Sequence, residues 1–151
     1  MLVLDKELVG YLNSSLERKE KREKSIDKIE MSFKPRHNYK NLKIWQLGLE
    51  IANDVSDLLI EFPKYERYDL SSQLSRCSVS IPSNIAEGSA KTDKSFSNYL
   101  DISLGSSFEL GTQLLVAKHR KYINEQNLKQ LEEKIEEFQR MTMGFQNGLN
   151  K

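Results

Sequence analysis

The sequence is poor in the residues that make turns and cross-links. Its 151 residues include only three prolines, seven glycines and one cysteine, Cys77. An all-β fold reverses direction many times and needs more turn residues than this, so the composition argues against one. A lone cysteine cannot form a disulfide within the chain, which fits a reducing compartment.

The residues that build common catalytic and metal centres are also scarce. The two histidines are His37 and His119, and neither follows a glutamate by three positions, as the di-iron helical bundles require. One cysteine and two distant histidines cannot supply the ligands of a zinc site. No G-x-S-x-G turn is present, and residues 88–92 match only the tail of a phosphate-binding loop. We therefore expect no enzymatic activity, no cofactor, no metal and no small-molecule substrate.

Long hydrophobic runs and an excess of charge are missing as well. No apolar stretch approaches the ~20 residues of a membrane helix. The apolar start of the chain is interrupted at Asp5, too early for a signal peptide. We expect a cytoplasmic protein with no membrane partner. Lys and Arg total 23 against 22 Asp and Glu, so a nucleic-acid-binding surface would have to be a local patch.

Residues 1–30 differ from the rest of the chain. They contain a short apolar helical stripe, followed by a run in which acidic and basic residues alternate. Over residues 1–30 as a whole, seven basic and seven acidic residues cancel. Such a run is usually a solvated helix or a frayed tail. The alternative is a helix that docks on a partner through its apolar stripe. We assign residues 1–30 to a charged helical extension and residues 31–151 to the main domain. The stripe consists of Leu4, Leu8, Val9, Leu12 and Leu16.

Four later segments carry apolar residues every three or four positions, the pattern of a helix with one buried face. They span 41–62, about 70–87, 92–122 and 124–149. Pro63 ends the first segment, and Thr92 and Asn124 can cap the last two. Gly88 fits the left-handed residue just past the end of the second. Short connections favour antiparallel neighbours. The predicted fold is all-α: an up-down-up-down antiparallel four-helix bundle with an extra N-terminal helical extension.

Pro82 falls inside the second of these segments. A proline there removes one backbone hydrogen bond and clashes with the carbonyl of Ser78. Two outcomes are open at this point: one kinked helix, or two short helices that break near Ser80.

Serines are frequent on the second and third segments, where large side chains are few. They could form an exposed polar surface, or a close-packed polar face between helices or between subunits. In the second case Arg76 could pair with Glu87 or Glu109, because a buried charge without a partner is costly. The predicted subunit-interface residues are Gln73, Arg76, Ser80, Asn84, Glu87, Ser106 and Glu109.

Cations collect at one end of the predicted bundle. In an up-down arrangement, the first and third helices start at the end where the second and fourth helices finish, so cations from these segments meet there. Residues 31–49, which lead into the first helix, contain no acidic residue. Copies packed side by side would multiply this weak basic patch. Ordinary solubilising charge is the alternative. The predicted nucleic-acid-binding residues are Lys34, Arg36, Lys40, Lys43, Lys91 and Lys94.

Several short motifs carry a family resemblance. They are FPKYE at 62–66, QLSR at 73–76, SIPSNIAEG at 80–88 and GSSFEL at 105–110. Over about residues 38–149 the chain resembles the four-helix bundle proteins encoded in intervening sequences of bacterial 23S rRNA genes, also called S23 ribosomal proteins. The resemblance implies a homopentamer without catalytic residues. It also implies kinship with the pentameric accessory proteins of diversity-generating retroelements, which bind RNA and a reverse transcriptase.

These observations lead to two functional hypotheses. The first is a non-enzymatic oligomeric accessory factor that associates with RNA or a ribonucleoprotein through the basic bundle end. The second is a protein–protein interaction scaffold with no nucleic-acid role, which recruits its partner through residues 1–30 or the serine-rich face.

Overall fold

The computed structural model describes residues 5–32 and 36–149, without the side chains of residues 29–32. Two short 3-10 helices, Tyr39–Asn41 and Lys64–Tyr68, precede the second and third α-helices. No strand occurs within these ranges, so the prediction of an all-α fold is confirmed. The α-helices are α1 (Lys6–Ser32), α2 (Lys43–Ile60), α3 (Leu70–Ser89), α4 (Asp93–His119) and α5 (Glu125–Leu149).

The chain divides into two compact units, residues 1–35 and residues 36–151. The first unit contains α1, on which the predicted stripe residues Leu8, Val9, Leu12 and Leu16 are exposed. Leu4 lies outside the described residues. The boundary predicted after residue 30 stays a prediction.

The helices of the second unit enclose one hydrophobic core. Each helix packs on the next along the chain, and α5 packs back on α2. Ile51, Leu74, Leu100 and Phe138 come from four different helices and are fully buried. Burying side chains of this size supplies about 1.5–3 kcal/mol each, which is the main force that holds the helices together.

Helices α3 and α4 run in opposite directions. Between α3 and α4, Cys77 contacts Gln113 near one end and Glu87 contacts Tyr99 near the other. Between α4 and α5, the 2.6 Å ion pair of Lys118 with Glu125 lies beside the connecting turn.

The helix boundaries follow local signals in the sequence. Helix α2 ends at Ile60, before Pro63, as predicted. The Thr92 hydroxyl accepts a hydrogen bond from the backbone N–H of Ser95 at 3.3 Å, and Asn124 Oδ1 accepts one from the N–H of Asn127 at 2.8 Å. Both predicted caps are therefore confirmed. They satisfy N–H groups that the first helical turn leaves without partners.

Pro82 does not divide α3, which is one continuous helix from Leu70 to Ser89. The alternative of two short helices is therefore wrong. The two side chains that follow the proline bind backbone carbonyls of the preceding turn. Ser83 Oγ donates to the carbonyl of Val79 at 2.7 Å, and Asn84 Nδ2 donates to that of Ser80 at 2.8 Å. These bonds supply local polar partners next to the missing N–H.

The prediction for Gly88 is wrong. It lies inside α3, and no glycine of the described residues has a positive φ. A Cβ at this position would lie 2.6 Å from Phe96 Cδ2 and 2.7 Å from Tyr99 Cβ. The glycine is required for the close approach of α4. A left-handed residue instead follows the next helix: α4 ends at His119, and Lys121 adopts a φ of 62°.

Cys77 is expected to react slowly with alkylating agents in the folded protein. Its Sγ donates to Gln113 Oε1 at 3.2 Å, and the side chain is buried. Burial, with a further effect of the Glu109 carboxylate, raises the pKa of the Cys77 thiol to about 12. The reactive thiolate is therefore rare at pH 8. Mass spectrometry should show iodoacetamide labelling at least about 100-fold slower in buffer than in urea. Equal rates in the two solutions would contradict this environment for Cys77.

Candidate nucleic-acid interface

One end of the second unit is built from the start of α2, the end of α3 and the start of α4. His37 fixes the segment that precedes α2 to this end. Its Nε2 lies 3.5 Å from Asp93 Oδ1, and its ring packs against Phe96 and Phe145 at centroid distances of 5.4 and 6.1 Å. This contact brings residues 36–38 beside the first turn of α4. The predicted cations before α2 and around the start of α4 therefore share one end.

The predicted cations at this end are exposed, and they form no ion pair with a carboxylate of the described residues. The nearby acids have other partners. Asp93 faces His37, and Glu87 accepts a hydrogen bond from the Tyr99 hydroxyl at 2.9 Å. Lys34 lies outside the described residues. The exposed cations are Arg36, Lys40, Lys43, Lys91 and Lys94.

The backbone that carries Lys40 is held by side-chain contacts. Asn38 Oδ1 accepts a hydrogen bond from the Lys40 N–H at 3.3 Å, and Gln46 Nε2 donates to the Lys40 carbonyl at 2.9 Å. Tyr39 and Trp45 meet edge to face with their ring centroids 5.1 Å apart. A surface held in this way loses less conformational entropy when a ligand binds.

Three of the predicted interface residues lie in a polar seam between α3 and α4 of a single chain. The Ser80 and Ser106 hydroxyl oxygens are 2.8 Å apart. Asn84 Nδ2 donates to Ser80 Oγ at 2.9 Å. Small side chains with satisfied hydroxyls let two helices approach closely without unpaired polar groups. The sequence left two alternatives for these residues, an exposed polar surface or a close-packed polar face. In the structure they form a polar face between two helices.

The remaining predicted interface residues have different environments. Glu109 Oε1 accepts a hydrogen bond from Gln113 Nε2 at 2.8 Å, and Glu87 is occupied by Tyr99. Gln73 and Arg76 are exposed. Arg76 forms no ion pair with a described carboxylate, so the expected pairing with Glu87 or Glu109 does not occur within one chain.

A group of exposed apolar side chains on α3 and α4 was not predicted from the sequence. Four of them leave 52–54% of their surface open to solvent: Val79, Ile102, Phe108 and Leu115. Gly105 and Gly111 lie on the same helix as Phe108, and no neighbouring atom comes within 4 Å of where a Cβ would be. An exposed apolar surface with room for close approach is typical of an interaction site. The signal was available, because the buried positions of α4 include serines while large apolar residues lie outside.

Glu66, Asp69 and Arg120 form a cluster of paired charges at the opposite end of the unit. Glu66 Oε1 accepts hydrogen bonds from the Tyr122 hydroxyl at 2.7 Å and from Arg120 Nη1 at 3.0 Å. Asp69 Oδ2 lies 3.6 Å from the same guanidinium nitrogen. The Tyr122 hydrogen bond and the Arg120 charge outweigh burial and lower the pKa of Glu66 from its usual value. This cluster joins the 3-10 helix Lys64–Tyr68 to the turn between α4 and α5.

The part of the chain that the structure describes contains no group of three or more His, Cys, Asp or Glu residues that could hold a metal ion. None of its helices is both long enough and apolar enough to cross a membrane.

Comparison with known proteins identifies the family. The model of the 23S rRNA-intervening sequence protein family matches residues 40–144, which is more than half of the chain. One similar solved structure is a protein with unknown function from the S23 ribosomal protein family of Bacteroides thetaiotaomicron VPI-5482. Its TM-score is 0.63 and its identity 22%, over 68% of this chain and 97% of that chain. This likeness shows the shared fold. No match was found among curated proteins. The chain belongs to the 23S rRNA-intervening sequence protein family.

Proposed function

We propose that the second unit is an up-down-up-down four-helix bundle that assembles with copies of itself and binds RNA, alone or within a ribonucleoprotein. The surface that binds is the basic end, defined by Arg36, Lys40, Lys43, Lys91 and Lys94. The protein is a non-enzymatic accessory factor of the cytoplasm. One observation carries this proposal. The contact of His37 with Asp93 brings residues 36–38 to the start of α4, so unpaired cations from both segments lie at the same end.

The charge of a single copy sets the expected strength of binding. Lys and Arg side chains that contact phosphates release condensed counterions, and this release drives binding in a salt-dependent way. Five cations on one copy make a weak site. Copies that place their basic ends side by side would contact one RNA together, and the effective concentration of the second contact would raise the affinity.

Assembly is supported by the exposed apolar side chains of α3 and α4. A monomer seldom leaves large apolar groups this exposed on neighbouring helices without a function. We infer that a second copy covers Val79, Ile102 and Phe108, with Gly105 allowing close contact between helices. The number of copies implied by the family resemblance is five.

The basic end can be tested by charge reversal. Lys91→Glu combined with Lys94→Glu should weaken binding to a structured RNA by at least about tenfold at 50 mM salt, because two phosphate contacts become repulsive. Filter binding or fluorescence anisotropy measures the affinity. Lys121→Glu with Lys129→Glu is the matched control, since it changes the net charge equally at exposed positions elsewhere. Equal losses in the two variants would show that only net charge matters and would contradict a defined surface.

The assembly can be tested by light scattering. Phe108→Lys should shift the mass at micromolar concentration from an oligomer to the 17.5 kDa monomer, because a charge in an apolar interface is costly to desolvate. Met143→Lys on α5 is the control, since Met143 is also an exposed apolar residue. A wild-type protein that is purely monomeric at this concentration would refute the proposed assembly.

Exposure of the α1 stripe favours a second candidate function. Leu8, Leu12 and Leu16 lie on one helix, and each leaves about half of its surface exposed. A scaffold would bind a partner protein through this stripe. Deletion of residues 1–30 should then remove the partner from a pull-down while leaving RNA binding unchanged. Loss of RNA binding on the same deletion would favour a direct contribution of the extension to the first function.

A further inference from the structure

A groove of about 510 Å³ opens between the end of α2, the 3-10 helix Lys64–Tyr68 and the first two turns of α3. It lies outside the basic end. Its lining contains no acidic residue. The polar residues that line it are three cations, Lys64, Arg67 and Arg76, and three hydroxyl residues, Ser71, Ser72 and Ser75.

The fold directs the neighbouring acids away from this groove. The sequence around it is mixed in charge, but Glu66 and Asp69 both face Arg120. Glu61 lines a different groove, between α2 and α5. Lys64 and Arg67 consequently form no ion pair with any carboxylate of the described residues. A positive site thus exists where the sequence mixes acidic and basic residues.

The serines add hydrogen-bond donors to these charges. The hydroxyl groups of Ser71, Ser72 and Ser75 form no hydrogen bond within the described residues, whereas Ser78, one turn further along α3, donates to the Ser75 carbonyl at 3.0 Å. Asp69 occupies the cap position of α3 without a side-chain cap bond. Free hydroxyl donors next to guanidinium groups suit the oxygens of a phosphate, because charge-assisted hydrogen bonds are the strong ones.

The other side of the groove is apolar and partly open. Leu59, Phe62 and Pro63 are among its lining residues. Ile60, which also lines it, leaves 77% of its surface exposed. Next to Arg67, the Tyr68 ring is 88% exposed. Apolar surface of this kind fits the flat ring of a ligand, and a volume of this size is typical of sites for small organic molecules.

We propose that this groove binds a nucleoside monophosphate, with the phosphate on Arg67, Arg76 and the serines and the base on the apolar side. The site is separate from the basic end and does not depend on it. It takes a ligand where the sequence predicted no small-molecule substrate, and it gives Arg76 a role other than an ion pair. A free nucleotide and the phosphorylated 5′ end of a strand both present this chemistry.

Calorimetric titration of the full chain with AMP and with adenosine tests the phosphate requirement. AMP should bind at least about tenfold more tightly than adenosine, because only AMP forms charge-assisted bonds. Arg67→Ala with Arg76→Ala should reduce AMP affinity at least about tenfold, whereas Lys91→Ala with Lys94→Ala should not change it. Equal binding of AMP and adenosine, no heat with AMP at millimolar concentration, or full binding by the Arg67→Ala/Arg76→Ala variant would overturn the proposal.

Two further arms identify the source of the ligand and separate this site from the RNA surface. This comparison uses the Lys91→Glu/Lys94→Glu variant, in which the proposed RNA surface is disabled. A short RNA with a 5′-phosphate should bind more tightly than the same RNA with a 5′-hydroxyl if the groove holds a strand end, and AMP should bind more tightly than either RNA if it holds a free nucleotide. Both outcomes support the phosphate site. The Lys91→Glu/Lys94→Glu variant should lose structured RNA yet bind AMP normally. Loss of AMP binding in that variant would show one general basic surface and overturn a separate groove.

Discussion

Phe138→Ala is expected to lower the free energy of unfolding by about 3–5 kcal/mol. Phe138 on α5 is fully buried, and its Cε2 would lie 3.6 Å from a Cβ placed on Gly48 of α2. The ring therefore fills the space where α5 closes against α2. Truncation removes its transfer free energy and leaves a cavity that the two helices cannot fully close. Urea denaturation, followed by circular dichroism, measures the loss.

Tyr68→Ala provides the control for this measurement. Tyr68 is also a large aromatic residue, but 88% of its surface is exposed, so its removal should change the free energy of unfolding by less than about 0.5 kcal/mol. Both variants must be compared at one protein concentration, because association adds to the apparent stability. Similar losses in the two variants would contradict the position of Phe138 in the core.

Gly88→Val should be the second strongly destabilising substitution, with a loss of about 3 kcal/mol. A valine Cβ would overlap Phe96 and Tyr99 at distances of 2.6 and 2.7 Å, and Tyr99 Cβ belongs to the stiff start of its side chain. Helix α4 would have to move away from α3. The hydrogen bond of Tyr99 with Glu87 would be disturbed in the same movement.

Gly144→Val is the matched control for Gly88→Val. Both glycines lie inside helices, so the intrinsic effect of the change on helix propensity is alike, but no atom lies within 4 Å of a Cβ at Gly144. Thermal unfolding should therefore place the Gly144→Val variant near the wild type. If the two variants had the same melting temperature, the close contact at Gly88 would not exist.

The positions of the bundle helices could be predicted from sequence because their causes are local. Pro63 cannot continue a helix, and the side-chain oxygens of Thr92 and Asn124 satisfy the first N–H groups of the helices that follow. Gly88 could not be predicted in the same way. A glycine at a turn and a glycine at a helix contact look alike in sequence, and the difference here depends on Phe96 and Tyr99 from the next helix.

The serines of α4 show a second limit of sequence reasoning. Ser103 and Ser107 are fully buried, while Phe108 is exposed. Burial is tolerated because Ser103 Oγ donates to the Ile81 carbonyl at 2.8 Å, and Ser107 Oγ donates to the Leu104 carbonyl at 2.7 Å. Hydroxyl groups that bind the backbone in this way carry little penalty in a core. The apolar period through Phe96, Leu100 and Leu110 marks the buried face of α4 correctly, but hydrophobicity alone does not explain why serines are tolerated on that face.

The candidate site was predictable only in part. Lys43 and Lys91 could be assigned to one end from the predicted helix topology alone. That topology follows from the short connections between helices, which can be read from the sequence. The groove beside Arg67 was not predictable, because the sequence there mixes acids and bases. Only the three-dimensional contacts of Glu66 and Asp69 with Arg120 show which cations remain unpaired.

The measurement that tests the central claim most directly is the affinity for a structured RNA at 50 and 200 mM salt. It compares the intact chain with the assembly-deficient Phe108→Lys variant. The intact chain should lose at least about 100-fold in affinity between the two salt concentrations, because several basic ends release counterions together. The variant should bind more weakly at 50 mM salt and lose less as salt rises. An affinity that is independent of salt, or identical in the two proteins, would contradict RNA binding by an assembly of basic bundle ends.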